Sequence, residues 1–156
     1  MKKNLTAILL LASFASFSQS KSPPREFHSI YDSILAKKLK ADDYGMHKYV
    51  MCFLRTGPNK SLSVDSSKKV QAAHLKNIKK LADEGKLVVA GPFIDETELE
   101  GIFIFNVPTI EEAQALTNTD PAVKAGILIM ELHPWYSSAA LIEVPMLHKK
   151  IQKKSF

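Results

Sequence analysis

Residues 66–92 read SSKKVQAAHLKNIKKLADEGKLVVAGP, and this stretch decides the fold. Val70, His74, Ile78 and Leu81 recur at spacings of four, four and three, with Ala73 beside them, so they share one face of a helix. The helix is expected from about Ser66 to Glu84. It stops at Gly85, the residue type favoured just past a helix C-terminus. The pattern then changes to a short apolar run, Lys86 to Ala90, closed by Gly91-Pro92. A helix followed directly by a strand is half of a mixed α/β unit.

The flanking segments complete it. Tyr49-Val50-Met51-Cys52-Phe53-Leu54 is almost continuously apolar, which predicts a central strand over 47–54. Arg55-Thr56-Gly57-Pro58-Asn59 is a turn cluster. A third strand is expected over Gly101 to Val107, joined to the second by the acidic stretch from Asp95 to Glu100. Thr109 with Glu112 three residues later has the form of a capping box, which starts a second helix. Asp120-Pro121 opens a further short helix, with Asp as N-cap and Pro at the first helical position, and Gly126 ends it. A fourth strand, Ile127 to Leu132, leads into His133-Pro134-Trp135-Tyr136. The order β-α-β-β-α-β predicts an α+β, ferredoxin-like fold with a four-stranded antiparallel sheet. Helices cover one face. The other is expected to be bare, so pairing with a second copy into a homodimer is the natural remedy.

Outward from this core the chain changes character. Residues 1–20 read as a signal peptide: Lys2 and Lys3, an apolar run from Leu5 to Phe17, then small residues around Ser16, Ser18 and Ser20. This predicts export, to the periplasm or beyond the cell, and no stable membrane insertion. Residues 21–45 are expected to form a linker and helical extension, with Phe27, Ile30, Tyr31, Ile34, Leu35 and Leu39 at helical spacing over 27–41. Residues 46–136 form the domain. Residues 137–156 are expected to be a basic, solvated, frayed tail, although its lysines could also touch an anionic surface.

The net charge of +5 resides in the termini. Two lysines fall in residues 1–20 and four in 148–156, with no acid in either segment, so the rest of the chain carries −1. A nucleic-acid partner needs a basic patch on the folded body, and none is visible. Cys52 is the sole cysteine and sits in an apolar run. No internal disulfide can form, and a buried, inert thiol is expected. The five histidines lack metal-ligand spacing, and neither a glycine-rich nucleotide motif nor a nucleophile elbow is present, so neither metal nor cofactor is expected.

Two residues remain as candidates for chemistry. His74 faces the sheet, either as a satisfied core histidine or as a general base or nucleophile. Asp120 is explained as an N-cap, or as a carboxylate that holds an imidazole in one tautomer. His133 with Trp135 and Tyr136 could line a pocket mouth or pack in an interface.

The ordered set Ala73-His74-Leu75, Asp83-Glu84-Gly85-Lys86-Leu87, Ala90-Gly91-Pro92, Glu111-Glu112-Ala113, Asp120-Pro121 and Ala125-Gly126 resembles the YCII-related (YciI-like) family over about residues 46–136. The resemblance implies a dimeric α/β barrel. It also implies an active-site histidine, which falls on His74, working with an aspartate, which falls on Asp120. Some relatives act as lyases, and the fold is related to that of muconolactone isomerases. The expected function is therefore a cofactor-free acid–base enzyme of lyase or isomerase type acting on a small molecule. The competing reading is a non-catalytic dimeric binding module of the cell envelope, and a structural role at the envelope is a third.

Overall fold

The computed structural model describes residues 31–95 and 97–154. The residues expected to form the signal peptide lie outside them. One compact unit begins at Asp32.

A short helix α1, Ser33–Lys38, opens this unit. The helix expected over 27–41 is thus shorter within the described residues. The Asp32 carboxylate accepts from the backbone N–H groups of Ile34 and Leu35 and fixes the start. Lys40, with φ 53°, turns the chain away at the other end. Leu39 is buried, whereas Ile34 and Leu35 are exposed.

The sheet contains β1 (Met46–Thr56), β2 (Leu87–Pro92), β3 (Leu99–Phe105) and β4 (Leu128–Ser138). Its order is β2-β3-β1-β4 and every pairing is antiparallel. Helices α2 (Val64–Asp83), α3 (Ile110–Thr117) and α4 (Pro121–Lys124) fall in the expected places. The result is a mixed α+β fold compatible with a ferredoxin-like arrangement. Gly85 ends α2 with φ 68°, a left-handed conformation that L side chains resist. The Thr109 hydroxyl accepts from Glu112 N at 3.2 Å, so the cap of α3 forms.

Alternation along β1 divides the interior. Val50, Cys52 and Leu54 meet Leu81 of α2, Leu87 of β2, Phe103 and Phe105 of β3, and Ala113 of α3. On the other face Tyr49 packs with Val88 and Ile104, with Met51, Trp135, Leu141 and Ile142 against them. Each fully buried large apolar side chain contributes about 1.5–3 kcal/mol.

Two findings depart from expectation. First, β4 runs on through His133-Pro134-Trp135-Tyr136 to Ser138. Proline is tolerated there because β4 is an edge strand, where a missing N–H can face away from the ladder. Second, the segment expected as a frayed basic tail forms a 3-10 turn, Ala139–Glu143, and a helix α5, Val144–Ile151. Leu141 and Ile142 pack against Tyr49, Val88 and Ile104, so among the described residues the second sheet face is only partly bare. Lys149 Nζ lies 2.8 Å from Asp83 Oδ1 and ties α5 to the end of α2.

Candidate active site

The inward face of α2 points His74 at the sheet, where only 7% of its surface stays accessible. The imidazole lies nearly parallel to the Phe103 ring, with centroids 6.0 Å apart and planes inclined by 20°. Phe103 comes from β3, so helix and sheet together fix the plane of the ring.

Asp120 arrives from the opposite direction. It is the N-cap of α4, and its Oδ1 accepts from Ala122 N at 2.8 Å. Pro121 occupies the first helical position, where its lack of an N–H costs nothing. The Thr119 hydroxyl reaches Asn77 Oδ1 at 3.2 Å and ties the α3–α4 connection to α2. Asp120 is 1% exposed.

The two side chains meet. His74 Nδ1 stands 2.9 Å from Asp120 Oδ1 and 2.8 Å from Oδ2. A carboxylate only accepts, so Nδ1 carries the proton and donates it across both oxygens. The other nitrogen, Nε2, is left without a hydrogen-bond partner among the described residues and bears the lone pair in neutral imidazole. Asp120 is therefore both a helix cap and a histidine partner, and the two readings of the sequence do not exclude each other.

His74 lines a cavity of about 310 Å³ between α2 and the β2–β3 pair. Its walls are largely apolar, including Leu54, Leu75, Ile78 and Phe103. Gln71 and Glu100 add polar groups. The Thr56 hydroxyl donates to Glu100 Oε1 at 2.5 Å, which orients that carboxylate and leaves Oε2 open. Gly91 and Gly101 form one wall. A Cβ on Gly101 would stand 2.5 Å from Gly91 O, so the close approach of β2 and β3 requires glycine there.

Residues 49–136 match the family model of the YCII-related domain. The chain belongs to the YCII-related domain family. The matched span of the YCII-related domain runs from β1 through β4 and holds both His74 and Asp120. No curated protein matches the chain. Among solved structures it is similar to the 5-chloro-2-hydroxyhydroquinone dehydrochlorinase of Burkholderia phenoliruptrix AC1100, solved in complex with 2,5-dihydroxybenzoquinone. The identity is 21%, the match covers 55% of this chain and 92% of that one, and the TM-score is 0.43.

The other candidates in the YCII-related domain lie elsewhere. His133 Nε2 sits 2.9 Å from Glu131 Oε1 on the second sheet face, with Phe53 edge-on to its ring at 5.7 Å. Trp135 packs near Tyr49, and the Tyr136 hydroxyl donates to Asp42. Tyr136 also lines a separate cavity of about 570 Å³ with His47 and Asn106, away from His74. His47 Nε2 is 3.0 Å from Asn106 Oδ1. Cys52 is fully buried, and burial pushes its thiol up to about 12, so the thiolate nucleophile is suppressed. Among the described residues no three His, Cys, Asp or Glu side chains gather as a metal site would require.

Sequence reasoning missed Phe103, Gln71 and Glu100. Gln71 was open to discovery, since it lies three residues before His74 and so on the same side of α2. Glu100 belongs to an acidic stretch that reads as a solvated connector, and only the return of β3 beside α2 brings it to the cavity.

Proposed function

We propose that this YCII-related protein is an exported, cofactor-free acid–base enzyme of lyase or isomerase type that acts on a small molecule. One observation carries the reading: the buried His74 donates Nδ1–H to both oxygens of Asp120 while lining a cavity. In this arrangement Asp120 fixes the tautomer and stabilises the imidazolium that forms when Nε2 takes a proton. His74 is the catalytic base, and the same Nε2–H returns the proton as an acid. Such transfer is worth about 10²–10⁴ in rate, which suits a substrate whose C–H or O–H bond is already activated. A cavity of about 310 Å³ is small for a ligand site. Its apolar walls and two polar groups favour a compact, mostly apolar substrate with one or two polar substituents.

Deuterium uptake from D2O into a panel of small cyclic ketones and hydroxylated lactones, followed by proton NMR, tests the reading. Exchange that wild type accelerates and His74→Gln abolishes is the expected result. Exchange at the wild-type rate in His74→Gln would refute it. Binding of panel members without exchange of any of them would favour the non-catalytic module instead.

Export rests on the pattern of residues 1–20, and mass spectrometry of the protein from its host should find a terminus near Gln19 or Lys21. An intact Met1 in the cytosol would overturn it. We also propose a homodimer through the uncovered part of the second sheet face, where Phe53 and Ile102 lie directly opposite each other and Ile129 is exposed. Light scattering should give twice the mass of one chain, and Ile129→Asp should halve it. A wild-type monomer at micromolar concentration would exclude this assembly.

A further inference from the structure

Helix α5 lies on the surface and buries none of its residues. Its Lys149, itself half exposed, pairs with Asp83 at the end of α2. Residues of a helix are about 100° apart, so Leu147 and Ile151 each stand about 200° from Lys149, on the side turned away from α2. Leu147 is 55% exposed and Ile151 80%. A helix packed on a domain normally buries its apolar stripe, and these two side chains are left in water.

The charges around this apolar pair are of one sign. Lys149, Lys150, Lys153 and Lys154 follow one another in residues 144–154, which contain no acid. Lys150, Lys153 and Lys154 are exposed. Glu143, just before the helix, is already paired with Lys38 at 2.7 Å. Apolar side chains on the outer face with lysines beside them are the pattern of helices that lie in a lipid interface, where lysine stems run along the apolar layer and their ammonium groups reach the phosphates.

We propose that α5 docks the domain on an anionic phospholipid surface, with Leu147 and Ile151 entering the headgroup region and Lys150, Lys153 and Lys154 meeting the phosphates. The exposed Lys149–Asp83 pair adds to the contacts with β2 and the 3-10 turn that seat the helix. The docking is peripheral: no helix among the described residues is long and apolar enough to cross a membrane.

Co-sedimentation of the chain from Lys21 onward tests this. That chain keeps the whole compact unit and omits the apolar run of residues 5–17, which would itself bind lipid. Vesicles of phosphatidylcholine are used with and without an equal part of phosphatidylglycerol. Binding is expected only with phosphatidylglycerol, and salt should weaken it. Each lysine near an anionic surface multiplies partitioning by about fivefold, so Lys153→Gln with Lys154→Gln should lower it about 25-fold. Leu147→Ser with Ile151→Ser should also release the protein. Both double variants alter exposed side chains, and circular dichroism checks that the fold is kept. Failure to bind either vesicle, equal binding to both, or indifference to the Leu147/Ile151 change would overturn the proposal. So would light scattering that shows a wild-type dimer becoming a monomer on that change, since a second copy would then own the face.

Discussion

Replacing Asp120 separates its two duties. In Asp120→Ala the cap of α4 is lost, which costs about 0.5–2 kcal/mol. The buried His74 Nδ1–H also loses its acceptor, which costs about a further 1–3 kcal/mol. The expected loss is therefore about 1.5–5 kcal/mol, because both partners are almost wholly buried and water cannot replace the lost bonds. Asp120→Asn behaves differently. Its oxygen can still accept from Ala122 N, so α4 stays capped. Its amide then turns an N–H₂ group toward His74, where the carboxylate had offered oxygen. Two donors cannot face each other, so the imidazole must move its proton to Nε2 and accept at Nδ1. The fold is expected to survive with a smaller loss, about 1–2 kcal/mol, while the lone pair is taken from the cavity side. Urea unfolding measures the two stabilities, and nitrogen-15 NMR of the imidazole reads the tautomer directly. Asp120→Ala within about 0.5 kcal/mol of wild type would refute the energetic argument. An Asn variant that keeps the proton on Nδ1 would refute the geometric one.

The remaining predictions concern the core and the C-terminal segment. Cys52 should resist a thiol reagent at mildly alkaline pH in the native protein and react fully once urea unfolds it, because burial holds the thiol up to about 12; rapid native labelling would contradict its placement. The carboxyl of Asp83 is pulled down to about 2, first by its bond to Lys149 and then by that to Lys79. A depressed folded value means that the tie between α5 and α2 is fully present above the unfolded value of 3.8 and is lost as pH falls through about 2. Amide chemical shifts of Leu141, Ile142 and Lys149 should therefore move in that window, and Asp83→Asn at neutral pH should reproduce the acid end point. Shifts that stay fixed down to the acid limit would show that the pair does not hold the helix.

The backbone plan was legible because it is written in local signals. Apolar periodicity placed the four strands and α2, while Thr109, Asp120-Pro121, Gly85 and Gly126 marked where helices start and stop. Each of these works within a few residues. What escaped depended on contacts between distant parts of the chain. Pro134 reads as a strand terminator, and only the edge position of β4 lets pairing continue, with Pro134 opposite Val50. The lysines of 149–154 read as a solvated tail, and only the Asp83 partner on another helix gives one of them a fixed place. The same limit applied to the site. Helical spacing turned His74 inward, and Asp-Pro made Asp120 a cap. That the two meet is a fact about residues 46 apart in sequence, and no periodicity encodes it.

The sheet has two faces with different tenants, and this bears on how the domain can act. The helix side carries the His74–Asp120 pair, and its cavity is walled by α2, β1, β2, β3 and β4 of a single chain. The pair and the cavity that His74 lines are therefore both built from one copy. On the other side Leu141 and Ile142 occupy the area over Tyr49, Val88 and Ile104 that a facing copy would otherwise fill. Among the described residues only the region around Phe53, Ile102 and Ile129 stays open, edged by Arg55 and His133, which both bond to Glu131. A partner sheet can dock there without displacing the C-terminal turn, but it cannot cover the whole face. The proposed dimer face and the His74–Asp120 pair thus lie on opposite sides of β1, whose alternate residues face one or the other. A substitution at Phe53 or Ile129 should then alter assembly with little effect on the pair behind it, whereas one at Val50, Cys52 or Leu54 reaches the core of the helix side.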